Sequence, residues 1–215
     1  MAKHTFKLSD VTPDARIIAR SALGYDFNYY ADAETLLFGS TDETAFRMQN
    51  ITPGTGISTG TNTVYKANVT VAGDLIKTEI LIDLTGLNSS AAGDIIGKDG
   101  GTANCHIGQI TSALCGSIFA GTCQSLETPA GGEPDIDLFS ATVGTGAEDT
   151  AVSDLSETKL LDLGADLASG NLGTPFVLSA FPAADEFLYL VASGGGTDDT
   201  YTAGKLLITL YGQPA

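Results

Sequence analysis

The chain has 215 residues, with ten Lys and Arg against 26 Asp and Glu and a formal net charge of −16. That length suits one large domain or two small ones, with enough chain to bury a sizeable core, and the shortage of basic side chains excludes a generic duplex DNA or RNA binder, which needs them to neutralise phosphates. There is no apolar run of the roughly 18 residues that would span a bilayer, and Met1–Lys7 lacks the apolar centre of a secretion signal, so the expectation is a chain made in the cytoplasm with neither membrane nor nucleic acid as partner. Residues 1–20 carry Lys3, Lys7, Arg16 and Arg20 against Asp10 and Asp14, with a turn at Thr12-Pro13-Asp14. They read as an extended N-terminal arm that reaches a neighbouring subunit, and residues 21–215 as the folded body, a β-sandwich domain. Tyr25, Phe27 and Tyr29 alternate with Asp26 and Asn28, as in a strand; Ala31–Phe38 fits a short helix or a second strand. Residues 50–62, rich in Thr and Gly, read as a loop joining an N-terminal part to the main body.

The clearest strand pair follows. Tyr65, Ala67, Val69 and Val71 share one face, Ala72-Gly73-Asp74 turns, and Leu75–Leu84 returns with Ile76, Thr78 and Ile80 opposite Leu75, Lys77 and Glu79. Ile80-Leu81-Ile82 is apolar on both faces, as in a covered strand. Gly86–Gly101 reads as a linker. Strands are expected at His106–Ile110, Gly116–Cys123 and Asp135–Val143, with Thr128–Pro134 a turn-rich connector and Gly144–Asp154 an acidic loop. Lys159–Leu163 and Phe176–Leu178 read as short strands, although Leu160, Leu163 and Leu167 also fit helical spacing. Phe187–Ala192 and Lys205–Tyr211, joined by the loop Ser193–Tyr201, read as a closing hairpin. Many short strands between turn signals predict an all-β fold, a β-sandwich of which the jelly roll is one form.

Residues that could carry chemistry are few. Cys105, Cys115 and Cys123 have no C-x-x-C spacing and do not supply a zinc site; they are expected as buried, reduced thiols. His4 falls in the arm, and His106 is expected to be structural, since on a strand it points away from Cys105. Gly194-Gly195-Gly196-Thr197-Asp198-Asp199 lacks the Lys-Ser/Thr ending of a phosphate loop and reads as a hairpin loop. Glu133, Asp135 and Asp137 would share one strand face beside a Gly-rich turn, which suits either a hard cation or solvent. Asn50, Asn68 and Asn88 open glycosylation triplets that mean little without a secretion signal. No catalytic, cofactor-binding or metal-binding residue is assigned, and the chain is not expected to be an enzyme.

The distribution of charge is more informative. Residues 1–98 hold eight basic and eleven acidic side chains, and residues 99–215 hold two, Lys159 and Lys205, against fifteen. An acidic surface favours solubility. Yet only 17% of residues are charged and the mean hydropathy is +0.14, whereas a soluble monomer usually has a surface about 25–35% charged. A chain this poor in charge is expected to bury further surface in an oligomer or assembly, a homotrimer with a mostly apolar interface.

Thr63–Asp74 followed by Lys77–Leu87, with His106–Ile110, Leu126–Gly132, Pro134–Leu138 and Tyr201–Lys205, resembles a group of virion structural proteins of tailed bacteriophages from aquatic environments, over about residues 54–213. The resemblance implies a structural particle component and carries over no functional residues. Together with the low charge density it leads to the expectation of a capsid decoration, or cement, protein: a β-sandwich bound to the major capsid protein on the exterior of the head, holding capsomers against internal pressure by multivalent contact. The alternatives are a tail, head–tail junction or fibre-associated protein, and a sugar- or cation-binding adhesion module.

Overall fold

A computed structural model describes the backbone of residues 17–20, 25–30, 35–40 and 46–47, and residues 51–60, 64–162, 167, 171–194 and 198–214 with their side chains. Ile17–Arg20 (β1), Tyr25–Tyr30 (β2), Thr35–Ser40 (β3) and Phe46–Arg47 (β4) form an antiparallel sheet in sequence order. Residues 1–16 of the expected arm lie outside the described residues, and its last four are strand β1, paired with β2 from Ile17↔Tyr29 to Arg20↔Asp26. The strand reading of residues 25–29 holds; of Ala31–Phe38, which fits a helix or a strand, residues 35–38 lie in β3 and residues 31–34 lie outside the described residues. The loop expected over residues 50–62 includes one turn of helix, Thr55–Ser58 (α1).

The main body starts with Tyr65–Ala72 (β5) and Leu75–Asp83 (β6). Their register closes at Ala72↔Leu75, leaving Gly73-Asp74 as a two-residue turn with Gly73 at φ +61°, where glycine avoids a Cβ clash. β6 buries Ile76, Thr78, Ile80 and Ile82 in alternation, as predicted. Asn88–Ser89 (β7), Gly108–Ile110 (β8), the helical turn Ser112–Cys115 (α2), Ser117–Ala130 (β9), Ile136–Ala141 (β10), a 3₁₀ turn at Val152–Leu155, Glu157–Leu161 (β11), Phe176–Val177 (β12), Glu186–Ala192 (β13), Asp199–Thr200 (β14) and Ala203–Gln213 (β15) follow. One sheet has the order β12-β9-β15-β6-β5, a second β11-β10-β13-β8, and β14 pairs with β7.

All these pairings are antiparallel, and the fold is the expected all-β sandwich. Apolar side chains of the two larger sheets join one buried cluster that includes Ile80, Ile208 and Cys123 from one and Leu138, Leu188 and Leu190 from the other. The Tyr65 hydroxyl donates across the layers to the Ile107 carbonyl at 2.7 Å. Gly108 lets the layers approach: a Cβ there would meet Ile51 Cγ2 at 2.4 Å and Ile80 Cδ1 at 3.7 Å.

Three expectations are corrected. Gly86–Gly101 is not a linker: Leu87, Ile95 and Ile96 are fully buried, and Gly93 at φ +91° and Gly100 at φ +94° turn the chain before and after the Ile95-Ile96 plug. The amides of Ile95 and Ile96 donate to Thr150 and Leu190 carbonyls, so the segment lies on the second sheet. Thr128–Ala130 continues β9 instead of opening a connector. The closing hairpin does not form, because β13 pairs with β10 and β8, and β15 with β9 and β6. The reason is burial: β13 is covered on both faces and takes a central place in its sheet, and the chain then crosses to the other layer.

Truncating Ile80 to Ala at this layer contact is expected to destabilise the fold by about 3–4 kcal/mol, the range for a buried Ile whose site cannot collapse, read as a lowered urea midpoint with an unchanged slope.

Candidate functional site

A buried polar cluster lies where the β7–β14 ribbon meets the loop before the 3₁₀ turn. Asn88, 4% exposed, is its hub. Its Nδ2 donates to Glu148 Oε1 at 3.2 Å and to Asp198 Oδ1 at 3.0 Å, and its Oδ1 accepts from Thr200 Oγ1 at 3.3 Å. Buried Glu148 takes a second bond at Oε2 from the Gly101 amide at 2.8 Å. Beside it, Ser89 Oγ accepts from the Glu133 amide at 2.8 Å and the Tyr201 hydroxyl donates to the Glu133 carbonyl at 2.6 Å; burial pushes the Tyr201 phenol well above its usual value. Burial also raises the Asp94 carboxyl, and neighbouring Asp149 adds to the rise, although Asp94 accepts from the Ala91 amide. These groups bond to each other and to the backbone, so the arrangement acts as a joint between three distant segments. No short motif could have revealed it, since Asn88 reaches partners 60 and 110 residues away.

The acidic trio expected on one strand face is not brought together. β10 begins only at Ile136, so Glu133 and Asp135 precede it. Glu133 Oε1 accepts from the Asp135 amide at 3.2 Å. Asp137, 1% exposed, pairs with Lys159 Nζ at 2.7 Å. Among the described residues no three His, Cys, Asp or Glu side chains form a group able to hold a metal ion. Lys159 also reaches Asp162 and lies over the Phe139 ring, and Lys205 sits between Asp83 and Glu127, so both basic residues of the acidic half are held between carboxylates. The expected loop Ser193–Tyr201 contains β14, with Asp198 turned inward to Asn88. The Asn88 side chain is likewise engaged in the fold, which closes that triplet to a glycan.

All three cysteines are free and buried, as expected. Burial pushes the Cys105 thiol up to about 11 and that of Cys123 up to about 12, and it raises Cys115 as well. Cys105 Sγ donates to the Thr102 carbonyl at 2.9 Å, and Gly56 and Gly97 close over the sulfur, where any Cβ would stand 2.2–2.3 Å away. His106 is half-buried, edge-on to Phe187 at 4.9 Å between ring centres and near Tyr189, with Nδ1 buried and without a hydrogen-bond partner. His4 lies outside the described residues. No described helix is long and apolar enough to cross a membrane.

Comparison of the chain with family models, with curated proteins and with solved structures finds no match.

Two solution measurements check this picture. A thiol reagent at pH 8 should label the native protein slowly and all three cysteines on denaturation, because the thiolate is the reactive form; rapid native labelling would contradict the burial. Burial lowers the His106 pKa below its unfolded value of about 6.5. The unfolded chain then binds the proton first, so stability falls as pH drops below about 6.5 and down to the folded pKa. Thermal midpoints at pH 7.5 and 5.5 should differ less in His106→Gln than in the native sequence.

Proposed function

We propose that the chain is a structural component of a tailed-bacteriophage virion and, within the particle, a decoration protein bound as a homotrimer to the major capsid protein on the outside of the head. The observation that supports this best is the pairing of the sequence resemblance with a charge-poor surface. The shared phrases fall on the β5–β6 hairpin, β8, the end of β9 and the starts of β10 and β15, the parts that build both sheets. What the chain has in common with that group is therefore scaffold.

The surface agrees with a role in an assembly. Phe119 and Val177 are 50% and 71% exposed in a chain only 17% charged. The carboxylates left without a basic partner would keep coated particles apart by repulsion, and the basic residues 1–20 would give the acidic body a segment able to lie along an acidic shell.

The test is to purify by density gradient the particles that carry this chain and to locate it by cryo-electron microscopy. The expected result is threefold density on the head exterior, with residues 1–20 against the shell. Density on the tail or at the neck would replace decoration by a tail or junction role, and absence of the chain from purified particles would overturn the virion reading.

A further inference from the structure

β9 is the longest described strand of the sandwich, and its register against β15 shifts at three places, two of which leave a large apolar side chain out in water. Against β15 it runs from Ala203↔Ala130 to Gln213↔Ser117, but the register skips Leu126, between Lys205↔Glu127 and Leu206↔Ser125, and Phe119, between Tyr211↔Ala120 and Gly212↔Ile118. A β-bulge inserts one residue and re-aims its neighbours. At the first bulge Leu126 stands 45% exposed. At the second, Ile118 turns in to pack on the core while Phe119, which strict alternation with Gly121 and Cys123 would bury, stays half out in water. On its other side β9 is covered from Gly121 to Ser125: Thr122 and Cys123 pair with β12, the Leu178 amide donates to the Gly121 carbonyl and the Gly173 amide to the Ser125 carbonyl; Val177 of β12 is the most exposed large apolar side chain described, and Leu172 lies just before Gly173. Phe119, Leu126, Leu172 and Val177 thus border one edge.

Charge thins out along that edge as far as Leu126, beyond which Glu127 pairs with Lys205. Residues 100–126 and 167–184 contain no Asp, Glu, Lys or Arg, in a chain of net charge −16. The row of side chains that starts at Val177 runs through Thr122 and Thr209 before it meets a charge at Glu79, already paired with Lys77 at 2.6 Å. Three strand spacings put Glu79 about 14 Å from Val177, beyond the screening length of about 8 Å at physiological salt. Two copies of so acidic a chain repel almost wherever they meet, and a basic partner would choose the carboxylates, so a neutral apolar strip suits a surface equally neutral and apolar. The chain itself supplies one. Residues 117–126 and 171–181 offer roughly the 20–30 residues a side of a standard interface.

From this we infer that the β9–β12 edge is the self-association surface of the protein, occupied by a second copy of the same chain, with three strips converging on a threefold axis so that none remains open. The inference deepens the homotrimer reading above and rests on it. Val177→Asp places a charge in the strip at a side chain that already faces water, so the fold should survive. Val64→Asp places the same charge beside β5, at the opposite edge of the sheet, where Val64 is 48% exposed.

The experiment is sedimentation velocity on the full chain and both variants at equal concentration, with thermal midpoints as the folding control. The native chain and Val64→Asp should sediment at three times the 22.0 kDa chain mass and Val177→Asp at the mass of one chain, with its midpoint at the single-chain level. If Val177→Asp stays trimeric, or both variants dissociate alike, the assignment of the edge is overturned. Particle binding separates this from the functional reading. A monomeric native chain that still coats heads overturns the interface and leaves the virion role; a trimer that the strip controls but that fails to bind particles supports the interface and overturns the role.

Discussion

The constraint on which the rest depends is that β10 and β13 are buried on both faces. In a two-layer sandwich each sheet covers one face of the other and leaves its second face to water. Here the face carrying Phe187, Tyr189 and Val191 is roofed by loops: Gly146 fits between Ile95, Leu155 and the Tyr189 ring, Gly144 lies on Phe187, and the Tyr189 hydroxyl donates to the Val143 carbonyl at 2.7 Å. A loop that roofs a sheet must satisfy its own backbone amides, which explains why the segments around Ile95 and Thr150 bond to each other and to strand edges. Asn88 and Glu148 then fasten the roof to the β14 ribbon.

This also shows where the sequence was legible. A strand with one dry face betrays itself by alternation, so β5 and β6 and the turn between them could be read directly. The roof could not. Its Gly, Asp and Ser residues have the composition of a linker, and only Leu87, Ile95 and Ile96 hint that it is covered. The same difficulty hid the crossing after β13, because strands of similar apolar content that follow each other in sequence look like a hairpin whether they pair or part into two layers. The acidic trio failed on a boundary: with β10 starting at Ile136, the alternation that would align Glu133 with Asp137 does not exist. The joint at Asn88 left no trace, since side chains that meet across 60 and 110 residues obey no local spacing.

Ion pairs divide the molecule electrostatically. Lys77, Lys159 and Lys205 each sit against carboxylates on or beside the sheets, and the pairs that involve Lys205 are half-exposed, where they add little to stability. Their effect is on the field. Holding the scarce cations in these places leaves the acidic half with no free basic group among the described residues, while residues 117–126 of β9 and strand β12 carry no charge of either sign.

The order of the five-stranded sheet has a consequence for how the chain is made. β15, C-terminal to every other strand, inserts between β9 and β6. Until it arrives, both neighbours keep an open edge, and the side chains of Ile80, Ile82 and Cys123 lack the strand that closes the layer. A nascent chain therefore cannot complete this sheet piecemeal, because β9 and β6 are joined only through β15. During that interval two unpaired apolar edges face other nascent chains, the situation in which strand exchange and aggregation compete with folding. A fold whose keystone strand comes last depends on contacts far apart in sequence, the kind that slow folding and lengthen the time for which those edges stay open.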